Sequence, residues 1–389
     1  MARVLIGWEL GAGSGHSVRL TDTAAELRRR GHEPILAVQQ TSRMPGGYEL
    51  WQAPLWPALL TSRGRARAVK PSSFGDILVA LGMGEAGVVS GLLRAWDAIL
   101  AATRPDVVAA EFAPALLMAA HGRMPTLLFG SGFGTPPPTL PAFPSLTGGR
   151  PAHDEAALLQ VVNRERVAAG RKALPALPAM FAADRTLAET FRELDPYRRW
   201  RSDGAYSAPH ISNLAPVVDG RGEEVFVYTN GVQTSLDAFV GGLVDSGLKV
   251  RLYDPRFGDR EIAMLERAGI TCERRALPFA RIAERSRLVV SHGGLGLACA
   301  ALCAGLPQVA MPFDLEKRLT GDALEEAGLG RSIAFRGIDR GALAALLQES
   351  FADDALAGRA LAAAPDFRAR AAPPSVETVA CAVEALARA

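Results

Sequence analysis

The sequence is poor in cysteine and in net charge, and each shortage excludes a class of protein. Its four cysteines form no C-x-x-C pair, and Cys299 and Cys303 stand one helical turn apart in an apolar stretch. This pattern predicts reduced core thiols rather than a disulfide framework or a zinc site. The 43 basic and 41 acidic residues leave a formal net charge of +2. So small a charge gives no general field to hold nucleic acid or an anionic membrane.

The sequence also lacks an apolar run that could cross a membrane. Its best candidate, residues 86–102, is interrupted by Arg94 and Asp97, whereas a spanning helix needs about 18 apolar residues. The apolar run near the start of the chain, residues 4–8, is ended by Glu9 and is too short for a signal peptide. We therefore expect a cytoplasmic protein without a transmembrane segment.

What the chain does have is size and a regular alternation of strand and helix patterns. Its 389 residues, 49% hydrophobic and 22% charged, predict two globular domains. Parallel α/β structure is indicated because short β-rich runs alternate with helical patterns. In the first half the predicted strands are residues 3–8, 35–39, 49–52, 106–110 and 125–130, with a helix at 17–30.

The second half repeats this alternation after a Pro-, Ser- and Gly-rich linker at 206–223. Strands are predicted at residues 225–229, 249–253, 287–291 and 308–311, and helices at 235–246, 260–268, 294–304 and 315–327. The sequence thus predicts two doubly wound α/β halves, followed by a last helix at 376–387.

The first glycine-rich loop, residues 11–16, differs from a dinucleotide-binding motif. Its third glycine position is occupied by His16, and the second strand ends in Gln39 and Gln40 rather than in an acid for a ribose hydroxyl. A nicotinamide or flavin enzyme is therefore not expected. The P-loop pattern G-x-x-x-x-G-K-[ST] is absent as well, which disfavours a P-loop NTPase.

The stronger signal is Ser291-His292-Gly293-Gly294, where a buried strand leads directly into a helix. The first backbone N–H groups of a helix are unpaired and carry the positive end of its dipole, so a diphosphate can bind there without a metal ion. Glycines let the phosphate approach, and His292 can add a directional donor. A plain tight turn would explain the glycines but gives no reason for the histidine.

These motifs resemble the nucleotide-sugar-dependent family 1 of GT-B glycosyltransferases, which includes bacterial macrolide and plant natural-product enzymes. Residues 15–16 and 27–33 are similar to the family's opening G-H and R-G-H motifs, and residues 291–294 and 328–330 match its H-G-G and closing glycine motifs. The resemblance covers nearly the whole chain. It implies a GT-B fold of two Rossmann-like domains facing a central cleft.

The resemblance also implies how the chain is divided. Residues 1–215 would form an acceptor-binding domain, residues 216–372 a donor-binding domain, and residues 373–389 a C-terminal helix packing back on the first domain.

Two catalytic roles follow from the resemblance. The family's general base is the histidine after the first strand, which is His16 here, and the supporting acid follows a P-D strand, where this sequence has Glu111 instead of the usual aspartate. A neutral imidazole can take a hydroxyl proton near neutral pH. Without the resemblance, His16 reads as a helix-start residue and Glu111 as a charge at a strand end.

The resemblance places the donor contacts in the second half. They are Thr229, Asn230, Gly231, Leu277, His292, Gly293, Gly294, Gly296, Glu316 and Lys317. The family usually has a stacking aromatic where this chain has Ala276, a hydroxyl residue where it has Leu297, and glutamine where it has Lys317. One phosphate contact and one sugar contact are therefore altered. His32 matches the family but ends a surface helix, where we expect a structural role.

The function implied is inverting transfer of a sugar from a UDP- or TDP-linked donor to an acceptor hydroxyl. No cofactor is implied beyond this nucleotide-sugar co-substrate, and no metal is expected because no D-x-D motif is present. The altered residues leave two alternatives, a nucleotide-sugar-binding partner or activator protein that has lost turnover and a GT-B sugar epimerase.

The acceptor would bind to variable loops of the first half, residues 51–67 and 131–149, which contain tryptophans and prolines. Their composition favours an apolar or aromatic small molecule or a lipid. In the first of these loops, the apolar residues Trp56, Leu59 and Leu60 are followed by Arg63, Arg65 and Arg67. This pattern is compatible with contact to a membrane surface, but we favour an ordinary solvated loop.

Overall fold

The computed structural model describes residues 1–11, 13–60 and 70–388, which divide into two compact units. The first contains Met1–Glu189, Pro196–His210 and the chain from Pro374 onward, and the second contains Thr190–Asp195 and Ile211–Pro373. Among the residues described, no helix is long and apolar enough to cross a membrane.

The first unit is built on a parallel sheet of seven strands in the order β3-β2-β1-β4-β5-β6-β7. The strands are β1 (Arg3–Trp8), β2 (Glu33–Val38), β3 (Glu49–Gln52), β4 (Val107–Glu111), β5 (Thr126–Gly130), β6 (Arg185–Glu189) and β7 (Tyr206–Ser207). Its helices are α1 (Ser14–Arg29), α2 (Pro57–Leu60), α3 (Phe74–Ala80), α4 (Val88–Thr103), α5 (Pro114–Ala120) and α6 (Glu155–Ala168). The strand order reverses between β1 and β4, where α/β sheets usually bind ligands.

The second unit is built on a parallel sheet of six strands in the order β10-β9-β8-β11-β12-β13. The strands are β8 (Glu224–Tyr228), β9 (Lys249–Tyr253), β10 (Thr271–Cys272), β11 (Ser286–Ser291), β12 (Gln308–Ala310) and β13 (Gly330–Ser332). Its helices are α7 (Leu236–Asp245), α8 (Asp259–Arg267), α9 (Phe279–Arg285), α10 (Leu295–Ala304), α11 (Leu315–Glu326), α12 (Arg340–Ala352) and α13 (Asp354–Arg370).

Helix α14 (Ser375–Leu386) follows the second unit in sequence but packs in the first. It contacts α1 and strands β4, β5 and β6. Polar contacts add to this packing, since the Arg30 guanidinium lies 3.2 Å from the Cys381 sulfur and His32 Nε2 lies 3.4 Å from a Glu384 oxygen. His32 is thus engaged in a structural contact at the end of α1.

The segment Thr190–Asp195, which we expected in the first domain, belongs to the second unit. The segment is placed there by apolar burial, because the ring centroid of Phe191 lies 4.8 Å from that of Phe367. Glu193 also accepts hydrogen bonds of 2.9 and 3.0 Å from the Arg370 guanidinium. The predicted linker at 206–223 begins inside strand β7.

Among the described strands, the sequence pattern did not predict β6 or the three short strands at the sheet edges, β7, β10 and β13. β6 begins with Arg185 and ends with Glu189, so its five residues contain no long apolar run. β7 and β10 have two residues each and β13 has three, too few to show the period-two alternation of a strand. By contrast, the five residues of β4 are all buried, which produces the continuous apolar run typical of a central parallel strand.

Glu9, the charge that ends the first apolar run, is buried and ties four parts of the first unit together. Its carboxylate accepts hydrogen bonds from the indole nitrogens of Trp56 (3.0 Å) and Trp96 (2.7 Å). It also accepts bonds from the backbone N–H groups of Ala115 (3.1 Å) and Leu116 (2.6 Å), in the first turn of α5. Burial raises the pKa of Glu9 to about 7.

A second buried polar cluster holds the loop that follows β5. The His153 ring lies between Asp76 and Glu155, with Nδ1 2.8 Å from Asp76 Oδ1 and Nε2 2.5 Å from Glu155 Oε2. Glu155 also accepts a hydrogen bond from the Phe143 N–H at 3.0 Å. Burial opposes the charge on His153, but the two carboxylates outweigh it and raise the pKa of the imidazole above its ordinary value.

We expect His153 to stabilise the fold most at low pH. Because its pKa is raised in the folded chain, its contribution is complete below about pH 6.5, the unfolded value, and is lost as the pH rises through the folded pKa. His153→Gln should lower the free energy of unfolding in urea more at pH 5.5 than at pH 9.

His121→Gln, at a half-exposed histidine of the same unit, is the control, and we expect it to cost less than about 0.5 kcal/mol at both pH values. An equal loss for His153→Gln at pH 5.5 and pH 9 would contradict the assignment.

Candidate functional site

The two predicted catalytic residues meet at the carboxyl edge of the first sheet. β1 and β4 are neighbouring parallel strands in which Trp8 pairs with Glu111, so the loop after β1 begins beside the end of β4. His16 lies in the first turn of α1, and its Nδ1 is 2.9 Å from both oxygens of Glu111. Both side chains are buried, with Glu111 only 1% exposed. The added length of glutamate therefore does not prevent the pairing.

The aromatic rings beside His16 fix the plane of its imidazole. Trp8 stacks on it with ring centroids 5.2 Å apart and an interplanar angle of 19°, and Phe112 lies at 6.1 Å with an angle of 26°. Gly11 lies against the other nitrogen, because a Cβ there would come within 2.4 Å of His16 Nε2. A side chain at position 11 would therefore collide with the imidazole.

This geometry determines which nitrogen of His16 can act as a base. A carboxylate can only accept a hydrogen bond, so His16 Nδ1 donates its proton to Glu111 and Nε2 keeps its lone pair. The same arrangement, in which a carboxylate orients an imidazole and compensates its positive charge, serves general-base catalysis in other enzymes. The dyad can therefore take a proton from a hydroxyl that reaches Nε2.

Two residues that the sequence analysis did not single out complete this cluster. The Arg19 guanidinium donates a hydrogen bond of 2.8 Å to Glu111 Oε1, and its Nε lies 2.6 Å from Glu189 Oε2. Arg19 follows His16 by three residues in α1 and so shares its helix face, a spacing that could have drawn attention to it. No comparable signal marks Glu189, which comes from β6.

In the second unit, the H-G-G motif forms the predicted junction between a strand and a helix. β11 ends at Ser291, whose hydroxyl accepts a hydrogen bond of 3.1 Å from the Gly293 N–H. Helix α10 begins at Leu295, and in the part of the chain that is described no side chain caps its Gly294 end. Its first N–H groups are therefore available to an anion.

Gly293 and Gly294 are required by close contacts. Gly293 has a φ of +83°, and a Cβ there would come within 2.8 Å of the Lys317 carbonyl oxygen. A Cβ on Gly294 would come within 2.9 Å of His292 Nε2. Gly296 is exposed in the first turn of α10, whereas Leu297, in place of the family's hydroxyl residue, packs against an apolar cluster.

His292 is a buried and neutral histidine at neutral pH. Its ring centroid lies 5.2 Å from that of Tyr228 and 5.7 Å from that of Phe313. Burial, helped by the charge of Lys317, lowers the pKa of His292 to about 4. Within the described residues, its Nδ1 is buried without a hydrogen-bond partner. A buried polar atom without a partner is suited to form a hydrogen bond with a bound ligand.

The predicted turn after β8 is held by an aspartate that the sequence analysis missed. Thr229 donates a hydrogen bond of 2.6 Å from its hydroxyl to Asp254 Oδ2, and the Gly231 N–H donates another of 2.7 Å to the same oxygen. Asn230, between them, is half-buried. Leu277 contributes to the apolar cluster that also contacts Tyr228.

Lys317, in place of the family's glutamine, is engaged by neighbouring carboxylates. Its Nζ lies 2.8 Å from Glu316 Oε2 and 3.4 Å from Asp314 Oδ2. Burial opposes the ammonium charge, but the two carboxylates outweigh it and hold the pKa of Lys317 above its usual range. The lysine charge is therefore compensated inside the protein.

The two predicted acceptor loops are described to different extents. Of residues 51–67, residues 61–67 lie outside the described chain, and Arg63, Arg65 and Arg67 are among them. Residues 131–149 are described, and Phe133 and Phe143 of this loop pack against the ring of Phe74 with centroids 5.6 and 5.3 Å apart. Phe74 also contacts Phe112 at 5.7 Å. The loop is thus joined to the aromatic surroundings of His16.

Comparison with proteins of known structure gives full-length matches. The calicheamicin glycosyltransferase CalG4 matches with a TM-score of 0.70 at 18% identity, over 99% of this chain and 98% of that one. The spinosyn rhamnosyltransferase SpnG matches with 0.68 at 16% identity, over 98% and 99%. VinC, a glycosyltransferase in complex with DTDP, matches with 0.66 at 18% identity, over 100% of both chains. These likenesses confirm the predicted GT-B fold.

Sequence comparison gives a shorter match. The NDP-glycosyltransferase YjiC of Bacillus subtilis (strain 168) is 37% identical over 57 residues, which are 15% of this chain and 14% of that protein's length. No protein-family model matches the chain.

Proposed function

We propose that this protein is an inverting glycosyltransferase that moves a sugar from a uridine or thymidine diphosphate donor to an acceptor hydroxyl. The observation that carries the proposal is the His16–Glu111 dyad, in which a buried carboxylate holds Nδ1 at 2.9 Å. The buried H-G-G junction of the second unit supports the nucleotide part of the proposal. The likeness in fold to glycosyltransferases agrees with both.

The reaction would proceed by direct displacement at the anomeric carbon. His16 Nε2 takes the proton of the acceptor hydroxyl while the oxygen forms a bond to that carbon, and the carbon's bond to the diphosphate oxygen breaks. Attack opposite the leaving group inverts the configuration. Glu111 compensates the imidazolium that forms, and the N–H groups at the start of α10 with His292 stabilise the leaving diphosphate.

The two alternative functions differ from transfer in their products. The intact dyad favours turnover over a partner or activator protein that merely binds nucleotide sugars. The purified protein should hydrolyse a nucleotide sugar slowly when no acceptor is supplied, which a protein without turnover would not do. Recovery of an epimerised sugar, either free or still linked to its nucleotide, with no transfer to any acceptor, would instead identify an epimerase.

We expect His16→Ala to reduce single-turnover transfer by about 100- to 10,000-fold, the usual contribution of a general base. Nucleotide binding should survive because the donor residues belong to the other unit. His32→Ala, which removes a structural histidine of the same unit, is the matched control and should retain activity. Near-normal transfer by His16→Ala would refute the base assignment.

A pair of glycine variants tests the same assignment without removing the histidine. Gly11→Ala places a Cβ 2.4 Å from His16 Nε2, whereas Gly13→Ala meets nothing within 4 Å. Both positions have a positive φ, +86° and +113°, so both variants carry backbone strain. Gly11→Ala should lose transfer far more than Gly13→Ala. Equal losses would mean that strain, not the imidazole, accounts for the effect.

We expect uridine or thymidine diphosphate to bind without a divalent ion, because a helix start can hold a diphosphate by itself. Isothermal calorimetry should give the same affinity with and without a chelator. His292→Ala should weaken binding of the diphosphate by about tenfold or more while changing binding of the free nucleoside little. Strict dependence on magnesium, or equal losses for both ligands, would count against this site.

We expect the donor sugar to be uncharged and less polar than glucose. A sugar carboxylate would need a free cation, but Lys317 is already paired with Glu316 and Asp314, which leaves a less polar pocket such as a deoxysugar would fit. Transfer rates should be measured for a panel of uronate, hexose and deoxysugar donors with the wild type and Lys317→Gln. The expectation would be refuted if the wild type preferred the uronate donor and Lys317→Gln could no longer use it. It would also be refuted if UDP-glucose were the best donor and the substitution left the ranking of the donors unchanged.

A further inference from the structure

Arg19 lies between two buried carboxylates of the first unit. Its Nη1 donates to Glu111 Oε1 at 2.8 Å, and its Nε lies 2.6 Å from Glu189 Oε2. Glu111 and Glu189 come from β4 and β6, which lie on either side of β5. All three side chains are at least nine-tenths buried, since Arg19 is 9% exposed, Glu111 1% and Glu189 0%.

The cluster continues beyond Glu189 to other charged and polar groups. Burial raises the pKa of Glu189. The charges of Arg19 and His210 oppose this effect, and the charge of Glu111 adds to it. His210 in turn lies 3.2 Å from Asp22 Oδ2 and 3.3 Å from the Ser375 hydroxyl. Within the described residues, the contacts above therefore connect Arg19 and Glu111 with His16, His210, Glu189, Asp22 and the Ser375 hydroxyl.

We infer that Arg19 is a positioning residue that acts on the proposed base through Glu111. The inference rests on the proposed function, because it concerns how His16 is supported in transfer. Arg19 would hold the Glu111 carboxylate in the orientation that receives His16 Nδ1, and would keep it charged beside Glu189.

The first part of this role follows from the length of glutamate. Its side chain has one more rotatable bond than the aspartate usual at this position, so an unsupported carboxylate could adopt more orientations. A guanidinium is planar and rigid, and binds a carboxylate with more directional preference than an ammonium does. With Oε1 held by Arg19, the carboxylate keeps its place beside His16 Nδ1.

The second part follows from charge. Two carboxylates that share a buried site cannot both ionise easily, and one of them takes up a proton. A guanidinium between them removes this conflict because it is always charged. Without Arg19, Glu111 and Glu189 would share a proton, and Glu111 would compensate the His16 imidazolium less well.

A double-substitution cycle read by NMR tests the inference without relying on catalysis. The ring signals of His16, identified by their loss in His16→Ala, are followed over pH in the full-length protein. Glu111→Gln should lower the titration midpoint in the wild type because it removes the anion. In the Arg19→Met background the same substitution should move the midpoint by less than half as much, since Glu111 is then already partly protonated.

The same double-substitution cycle should give non-additive losses in the rate of single-turnover transfer. Arg19→Met should lower the rate by about 10- to 100-fold, a part of the general-base contribution, with KM for the donor unchanged. Arg19→Met/Glu111→Gln should be no slower than Glu111→Gln alone, because residues that act as one unit are not additive. Losses that multiply would overturn the inference.

Three further variants separate positioning from a merely structural role. Arg19→Lys keeps the charge and should restore the coupling at least in part, whereas Arg19→Gln is neutral and should behave as Arg19→Met does. Arg166→Met removes another buried arginine of the same unit, one that donates to the Lys172 and Met118 carbonyl oxygens. It should leave both readouts unchanged, and an effect equal to that of Arg19→Met would overturn the inference.

The outcomes distinguish this inference from the proposed function. Equal midpoint shifts for Glu111→Gln in the two backgrounds overturn the role of Arg19 whatever the activity. If Arg19→Met reduces the midpoint shift caused by Glu111→Gln but the wild-type protein transfers no sugar, the role of Arg19 toward Glu111 is supported and the glycosyltransferase proposal is refuted. Arg19→Gln supplies the same comparison if Arg19→Met does not fold.

Discussion

The burial of the Glu111 carboxylate at the end of β4 is the constraint on which the first unit's site depends. A charge removed from water must be matched by donors and by an opposite charge, or the protein would lose several kcal/mol. Here His16 and Arg19 supply both from one face of α1. The helix is therefore fixed in rotation at its first turns, and the loop before it must allow the imidazole to reach the sheet edge. Gly11 meets this demand because it has no side chain.

The proposed donor site of the second unit has the opposite requirement, since it would have to attract an anion rather than stabilise one of its own. The start of α10 offers N–H groups, and two glycines keep the approach open. Burial keeps His292 neutral by lowering its pKa to about 4, so the ring can still donate one hydrogen bond without bringing a charge. A helix start and a neutral donor bind a diphosphate through directed dipoles, which need no proton uptake.

Two of the substitutions that depart from the pattern of the resembled family share one physical property. Glu111 is longer than the usual aspartate and is held by Arg19, and Lys317 is charged where glutamine is usual and is held by Glu316 and Asp314. In both cases the altered side chain is compensated by a nearby residue of opposite charge. Each of these two departures is thus compensated within its own unit, and neither leaves an unpaired buried charge.

The sequence by itself determined the fold class, the positions of most of the strands and the two motifs at strand ends. These follow from local rules, because a central parallel strand reads as an apolar run and a ligand-binding turn needs glycine. The sequence did not indicate short edge strands such as β10, or that Thr190–Asp195 belongs to the second unit. Both depend on packing partners that are distant in the chain. For the same reason, the sequence did not indicate the roles of Arg19, Glu189 and Asp254. Their roles come from hydrogen bonds and ion pairs between residues far apart in the chain, such as the hydrogen bond between Arg19 and Glu111 and the ion pair between Arg19 and Glu189. Only the tertiary structure brings such partners together.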